Sequence, residues 1–401
     1  MDEYMIKGKD IVVVGQQPWD VSIGSNCKNI AEEFSKNNRV LYVNAPLDRI
    51  TSIRNARDEK IKKRKNVIKG KENGIVKISE NLWNLYPDKL VESITWINSH
   101  VLFNFLNKRN NRKFASSIKR AMEQLGFHDI ILFNDNDIYK SFYLKELLNP
   151  AISIYYSRDF MLAVDYWKKH GGKLEPMIIA GNDLCVANSE YLADYCRKYN
   201  KKSFYVGQGC ELEMFNPSLP FIRPKEVIDI RSPIIGYVGA IQSFRLDIDI
   251  ILKIAEKKPE WTLVLVGPED EAFANSKLHK MPNVLFTGPK SPTELPAYIK
   301  SFDICLNPQV LSEVTIGNYP RKIDEYLGMG KPVVATRTKA MEIFVPFVSL
   351  AETSEEYIKF ISNSLLEDSP LLQMQRREFA LSHTWENSVN EIYKAIHLSQ
   401  K

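Results

Sequence analysis

At 401 residues the chain is long enough for two domains, each with its own hydrophobic core. Its composition, 44% hydrophobic and 26% charged, is that of a soluble globular protein. No apolar run approaches the ~18 residues of a membrane span, and the opening MDEYMIKGKD is too polar for a signal peptide. Five cysteines, Cys27, Cys185, Cys196, Cys210 and Cys305, are odd in number, scattered and without CxxC spacing. That pattern argues against a disulfide frame or zinc site and for reduced thiols in a cytoplasmic protein.

The net charge of +5 hides an asymmetry. Up to residue 215 there are 33 Lys and Arg against 26 Asp and Glu; beyond it there are 21 against 23. The excess gathers between Arg49 and Lys71, which also takes in Arg54, Arg57, Lys60, Lys62, Lys63, Arg64, Lys65 and Lys69. Such a run is either a solvated loop or an attraction to anionic lipid headgroups, worth roughly 1 kcal/mol per basic residue near the surface. No nucleic-acid-binding motif accompanies it, so nucleic acid is not expected as a partner.

In chain order, residues 10–15 (DIVVVG) read as a buried strand ending in glycine. A polar loop with Gly24, Ser25 and Asn26 follows, then a helix through Ile30, Ala31 and Phe34, then a strand at 39–43. This βαβ unit implies a parallel sheet, although GxGxxG is absent after its first strand. The loop would lie at the carboxyl edge, where open α/β sheets bind ligands. The spacing predicts a hairpin or loose helix over 50–80 and a long helical region over 93–125. Trp96, Val101, Leu102, Phe105 and Leu106 give that region an aromatic-rich stripe, expected in the core; exposed, it could instead dock an acyl chain. Strands are expected at 130–133 and 152–156. The acidic cluster 134–137 reads as a helix cap and loop rather than a calcium loop, which needs Gly and a distal Glu at set positions. Arg158 and Asp159 fall at the carboxyl edge of their sheet, where Asp159 could take a proton from an incoming hydroxyl, orient it, or cap a helix. A strand at 183–187 precedes a helix capped by Asn188 or Ser189. The proline-bounded stretch 216–232 reads as a linker between a first domain, 1–215, and a second, 233–383.

The second domain restarts the pattern. Residues 234–239 form a strand with a glycine turn at Gly239, 246–255 an amphipathic helix, and 261–267 a strand ending at Gly267. Residues 283–288 form a strand ending at Gly288, 294–302 a helix, and 303–306 a strand. The stretch 307–336 then runs from polar loop residues through Gly317-Asn318 into a helix opened by Pro320 and closed by Gly330, followed by a buried strand. Lys322 and Glu325, three apart, leave the same side of that helix. A helix N-terminus flanked by a cation and a carboxylate suits a diphosphate and ribose hydroxyls; an ordinary surface Lys–Glu pair has the same spacing. Residues 384–400 form a final helix with an apolar stripe.

The run K-x-x-E-Y-L-x-x-G-K-P-V-V-A-T from Lys322 to Thr336 resembles the donor segment of glycosyltransferases of the two-domain GT-B fold. The likeness is to the retaining family 4, in the branch that includes teichuronic acid glycosyltransferases. The resemblance implies an α/β architecture of two Rossmann-like domains with parallel sheets facing a central cleft, the final helix packing back on the first domain. It implies a nucleotide-sugar held by the second domain at Gly239, Gly267, Gly288, Gly317, Asn318, Lys322 and Glu325, the last on the ribose. The segment Tyr155 to Asp159 resembles the family's YxxxD pattern, which places Gly24, Arg158 and Asp159 on the acceptor side. Candidate catalytic residues are Asp159, Arg245 and Lys322, with no metal and no cofactor beyond the donor itself. The position eight residues before Glu325, a second Glu in many members, is Gly317 here. Two family cations after the glycine turn correspond to Ala240 and Arg245. The expected reaction moves a sugar to a glycan or lipid-linked acceptor in cell-surface polysaccharide synthesis, at the inner face of the membrane. A nucleotide-sugar epimerase and a non-catalytic sugar-nucleotide-binding module are the alternatives.

Overall fold

The computed structural model describes residues 4–21, 25–231, 233–313, 315–317 and 319–400. The chain divides into two compact units, residues 1–208 with 385–401, and residues 209–384.

Unit 1 is built on an eight-stranded sheet: β1 (Asp10–Gly15), β2 (Arg39–Asn44), β3 (Ile75–Ser79), β4 (Leu82–Leu85), β5 (Ile131–Asp135), β6 (Ile152–Ser157), β7 (Leu184–Ala187) and β8 (Ser203–Tyr205). Their order is β3-β4-β2-β1-β5-β6-β7-β8, parallel except for the β3–β4 hairpin. The helices are α1 (Asn26–Ser35), α2 (Arg49–Arg54), α3 (Glu59–Ile68), α4 (His100–Leu125), α5 (Leu144–Leu148), α6 (Asp165–Gly181) and α7 (Glu190–Arg197). Because successive strand side chains alternate faces, the apolar runs fill two layers at once. Ile11, Val13, Val40, Tyr42 and Phe133 pack beneath α1 and the C-terminal helix (Trp385–Ser399), which contributes Val389, Ile392, Tyr393 and Ile396. Val12, Val14, Leu41, Val43 and Leu132 pack under Phe114, Ile118 and Ala121 of α4. All five cysteines are buried free thiols.

Two stretches differ from the sequence expectation. The basic segment forms two short helices followed by the β3–β4 hairpin, because Asp48 and Asp58 each cap a helix N-terminus with a side-chain oxygen. The long helix begins at His100, capped by Ser99, and its expected core stripe points outward: Trp96 is 69%, Val101 82% and Phe105 69% exposed. Its buried face is instead Phe103, Asn107, Asn110, Asn111, Phe114, Ser117, Ile118 and Ala121. Asn110 and Asn111 tolerate burial because they bond distant backbone: Asn110 Nδ2 donates to Glu92 O (2.9 Å) and Asn111 Nδ2 to Tyr139 O (3.0 Å).

The start of α4 is held by a histidine pair. His170 Nε2 lies 2.8 Å from Ile97 O, so it carries the proton and donates; its bare Nδ1 then accepts from His100 Nδ1 at 3.0 Å. Burial, foremost, pushes the His170 pKa below the usual imidazole value, with His100 and Lys169 adding to the shift against the Ile97 bond. A lowered folded pKa contributes stability that is complete above the unfolded value and is lost as pH falls from there through the folded value. Unit 1 is therefore expected to lose stability on acidification from about pH 6.5. Urea titrations across that range should show the slope flatten in His170→Phe.

Unit 2 carries β9 (Ile234–Val238), β10 (Thr262–Val266), β11 (Val284–Phe286), β12 (Ile304–Asn307), β13 (Val333–Thr336) and β14 (Val348–Ala351). All are parallel, in the order β11-β10-β9-β12-β13-β14. This is the doubly wound order that reverses between the first and fourth strands. Its helices are α8 (Ile248–Lys257), α9 (Glu271–Ala274), α10 (Leu295–Ser301), α11 (Lys322–Gly328), α12 (Ser354–Glu367) and α13 (Pro370–Leu381). The strands again feed two layers, Ile234, Val238, Val264 and Cys305 on one face, Ile235, Leu263, Leu265 and Leu306 on the other. Asp247 caps α8, so that helix starts two residues later than its apolar pattern suggests. Residues 216–231 hold no helix or strand, but Val227 is fully buried in this unit's core.

Gly330 ends α11 in the left-handed region (φ 74°), with Gly330 N–H on Leu327 O (2.8 Å) and Lys331 N–H on Tyr326 O (3.0 Å), the paired bonds of a Schellman cap. A Cβ there would stand 3.1 Å from Gln373 Cβ. Gly330→Ala is expected to lower the stability of unit 2 by about 1–2 kcal/mol, read from chemical denaturation.

Candidate functional site

The carboxyl ends of β9 and β12 meet at the reversal of strand order in unit 2, the place where doubly wound sheets bind ligands. A cavity of about 450 Å³ opens there, lined among others by Gly239, Arg245, Gln309, Arg321, Lys322 and Glu325. Gly239 leaves β9 at φ 141°, and a Cβ on it would lie 2.7 Å from Lys322 Nζ. Glycine is thus what lets the ammonium group sit against the strand exit. Lys322 Nζ donates to Tyr237 OH (2.5 Å), whose own proton goes to Ala240 O (3.1 Å). Arg245 stacks its guanidinium over the Phe244 ring at 5.2 Å. Among the described residues Arg245, Arg321 and Lys322 form no salt bridge, and Arg321 Nε is buried without a hydrogen-bond partner. Three cations thus face a cavity whose lining holds one carboxylate, Glu325. Burial raises the Glu325 pKa, opposed by Arg321 and Lys322, and no hydrogen bond ties its side chain among the described residues.

The loop that carries this lining is locked locally. Gln309 N–H donates to Thr336 Oγ1 (2.8 Å) and Gln309 Nε2 to Thr315 O (2.7 Å), tying the exit of β12 to β13 and to the loop. Tyr319 OH donates to Asp324 Oδ2 (2.8 Å), and His383 Nδ1 lies 2.6 Å from Asp324 Oδ1. Burial pushes the fully buried Asp324 carboxyl above its usual range, with His383 and Tyr319 pulling it back. The helix starts at Lys322, two residues after Pro320. The Ile323 and Asp324 amides already bond Pro320 O (2.9 Å) and Arg321 O (3.1 Å). A two-turn helix with these amides engaged offers an anion less than the sequence suggests, and the side-chain cations supply most of the positive field.

The other sequence-derived positions sort as follows. Gly267 is a packing glycine: a Cβ on it would fall 1.8 Å from Gly239 O. Its amide donates to Gly288 O (3.1 Å), and neither Gly267 nor Gly288 lines the cavity. Gly317 is buried in the turn before Tyr319. Asn318 and Gly24 lie outside the described residues. In unit 1, Arg158 and Asp159 follow β6. Arg158 Nε bonds Asp135 Oδ1 (2.7 Å) and Nη1 bonds Asp159 Oδ2 (2.9 Å). Asn136, at φ 54°, accepts from the amides of both Arg158 (2.9 Å) and Asp159 (3.0 Å). The fully buried Asp135 and the neighbouring Asp159 hold the Arg158 guanidinium firmly in its charged form. The turn that follows Asp159 is a 3-10 helix over Met161–Ala163 with Phe160 at its N-cap.

Sequence reasoning passed over Arg321, Tyr237 and the Tyr319–Asp324–His383 cluster. Arg321 sat beside Lys322 and was legible as a second cation; the cluster was not, because His383 is 59 positions from its partner Asp324.

Residues 232–356 match the family model Glycosyl transferases group 1. The chain is 33% identical over 175 residues to the protein of Bacillus subtilis (strain 168) named as teichuronic acid biosynthesis glycosyltransferase TuaH; the match covers 40% of this chain and 42% of that relative's length. Among solved structures, a sucrose-phosphate synthase from Thermosynechococcus elongatus aligns with a TM-score of 0.65 at 14% identity, over 97% of this chain and 98% of its own. Anabaena Alr3699/HepE in complex with UDP aligns with a TM-score of 0.63 at 13% identity, over 98% and 100%. The chain has the GT-B fold, and its segment 232–356 matches the group 1 glycosyl transferases.

Proposed function

We propose that this protein is a glycosyltransferase that moves a sugar from a nucleotide-diphosphate sugar to a glycan or lipid-linked acceptor, in the synthesis of a cell-surface polysaccharide. The observation that carries the reading is the trio Arg245, Arg321 and Lys322, without salt bridges among the described residues, at the strand-order reversal of unit 2. Cations that outnumber the carboxylate in a partly enclosed cavity attract an anion strongly, and a diphosphate is the anion whose departure needs them. As the glycosidic bond to the donor breaks, negative charge grows on the diphosphate, and the three side chains oppose it without reorganising. Glu325, its pKa raised by burial and its side chain without a hydrogen bond among the described residues, is suited to the vicinal hydroxyls of a ribose. In unit 1 the Arg158–Asp159 pair orients the acceptor hydroxyl. The UDP complex of Alr3699/HepE and the name of the Bacillus relative support the donor class and the pathway.

With side chains carrying the leaving-group charge, the reaction is proposed to need no metal and to retain anomeric configuration, the outcome that the family resemblance of 322–336 implies. Placement at the inner face of an anionic membrane, through residues 49–71, fits the basic excess there; no helix among the described residues is long and apolar enough to cross a membrane. The test is turnover of a panel of UDP- and GDP-sugars in EDTA. Nucleoside diphosphate release with acceptor extract supports the reading. Interconversion of the donor sugar without release, or binding without turnover across the panel, overturns it.

A further inference from the structure

A second cavity, of about 370 Å³, lies in unit 1 where the chain leaves β2, β4 and β5, and none of the candidate site residues above lines it. Its floor includes Asn107 and Phe114 of α4. Asn107 is 2% exposed, and its Nδ2 has no hydrogen-bond partner among the described residues, a buried donor left for a group that enters the cavity. On the wall stand Arg54 and Lys140, neither in a salt bridge among the described residues. The acidic groups of the same wall are already engaged. Asp48 accepts from Thr51 N–H (3.0 Å) and from Ser93 Oγ, and Glu92 is paired with Arg49 at 2.8 Å. The interior therefore presents a free amide donor and two cations without salt bridges among the described residues, Lys140 being drawn only electrostatically toward Asp48 and Asp137.

The mouth is apolar. Ile50 and Trp96 line the cavity and are 38% and 69% exposed. Ile53 of α2 adds another side chain at 70%. Exposed apolar side chains at the mouth, on and beside the basic α2, suit a lipid chain near an anionic bilayer.

We propose that this cavity binds the phosphorylated head of an amphiphile, with Asn107, Arg54 and Lys140 on the head and Ile50 and Trp96 on the apolar chain. This rests on the transferase reading in one respect: the amphiphile is taken to be the sugar acceptor.

Calorimetric titration of the full chain with decyl phosphate below its micellar concentration, with inorganic phosphate and with decanol, tests the assignment. Decyl phosphate is expected to bind at least about ten-fold more tightly than either fragment. Trp96→Ala and Lys140→Ala, both surface changes, should each weaken it about five-fold or more, and Asn107→Leu likewise; Leu366→Ser, an exposed apolar site of unit 2, should leave it unchanged. Equal binding of the fragments, or equal weakening by Leu366→Ser, overturns the proposal. UDP and GDP are titrated into the same samples. Nucleotide binding without decyl phosphate binding refutes the amphiphile site alone; decyl phosphate binding without nucleotide binding refutes its assignment as acceptor.

Discussion

Lys322→Ala is expected to lower sugar transfer by about 10²–10³-fold at saturating donor, the loss typical of removing one preorganised donor from a charge that develops in the transition state. The ammonium is held at the strand exit by Tyr237 OH at 2.5 Å and by the space that Gly239 leaves, so its position is fixed before the donor arrives. Arg321→Ala should behave in the same direction, since Arg321 lines the same cavity without a salt bridge among the described residues. Glu325→Ala should act differently. A carboxylate on ribose hydroxyls is worth about 1.5–3 kcal/mol, so donor affinity falls about 10–100-fold, with a smaller change in turnover of bound donor. Steady-state kinetics separates the two: a fall in kcat for Lys322 and a rise in KM for Glu325. Unaltered donor affinity in the Lys322, Glu325 double variant would refute the site.

Gly267→Ala should be the most damaging small substitution in unit 2. Its Cβ would lie 1.8 Å from Gly239 O and 2.8 Å from Gly239 C, and its φ of 150° is itself rare for a side-chain-bearing residue. Backbone cannot step aside as a flexible side chain does, so the strands β9 and β10 must separate at their carboxyl ends. A loss of about 3–5 kcal/mol is expected. Scanning calorimetry checks it: the transition that UDP or GDP raises in the wild type should fall sharply, and the remaining native protein should bind nucleotide weakly because Gly239 has moved. Gly288→Ala is the comparison. It has a positive φ of 71° but nothing within 4 Å of its Cβ, so only the backbone strain of roughly 1 kcal/mol applies.

The strands and their parallel arrangement were readable because each is a short apolar run flanked by turn residues, and such runs have little alternative but a covered sheet. Gly239, Arg245, Lys322 and Glu325 were readable by spacing and resemblance, and they come together at one cavity. Gly267 and Gly288 read the same way in sequence yet stand behind the site, because a glycine needed for close packing and one needed for a ligand leave identical traces. The face of α4 was misread for a reason of the same kind. Periodicity ranks Trp96, Val101 and Phe105 above Asn107, Asn110 and Asn111, whereas burial was decided by backbone partners at Glu92 and Tyr139 that no local window contains. The Tyr319–Asp324–His383 cluster was hidden likewise, a buried carboxylate made tolerable by a residue far along the chain. The buried cavity in unit 1 left no motif, since its lining is drawn from separate connections and from α4.

A crystal structure with UDP or GDP bound decides whether a diphosphate rests among Arg245, Arg321 and Lys322 at the exit of β9. Both phosphates are expected within hydrogen-bonding reach of those side chains, with the ribose hydroxyls on Glu325. Nucleotide density elsewhere on the chain, with this cavity filled by water, would contradict that placement.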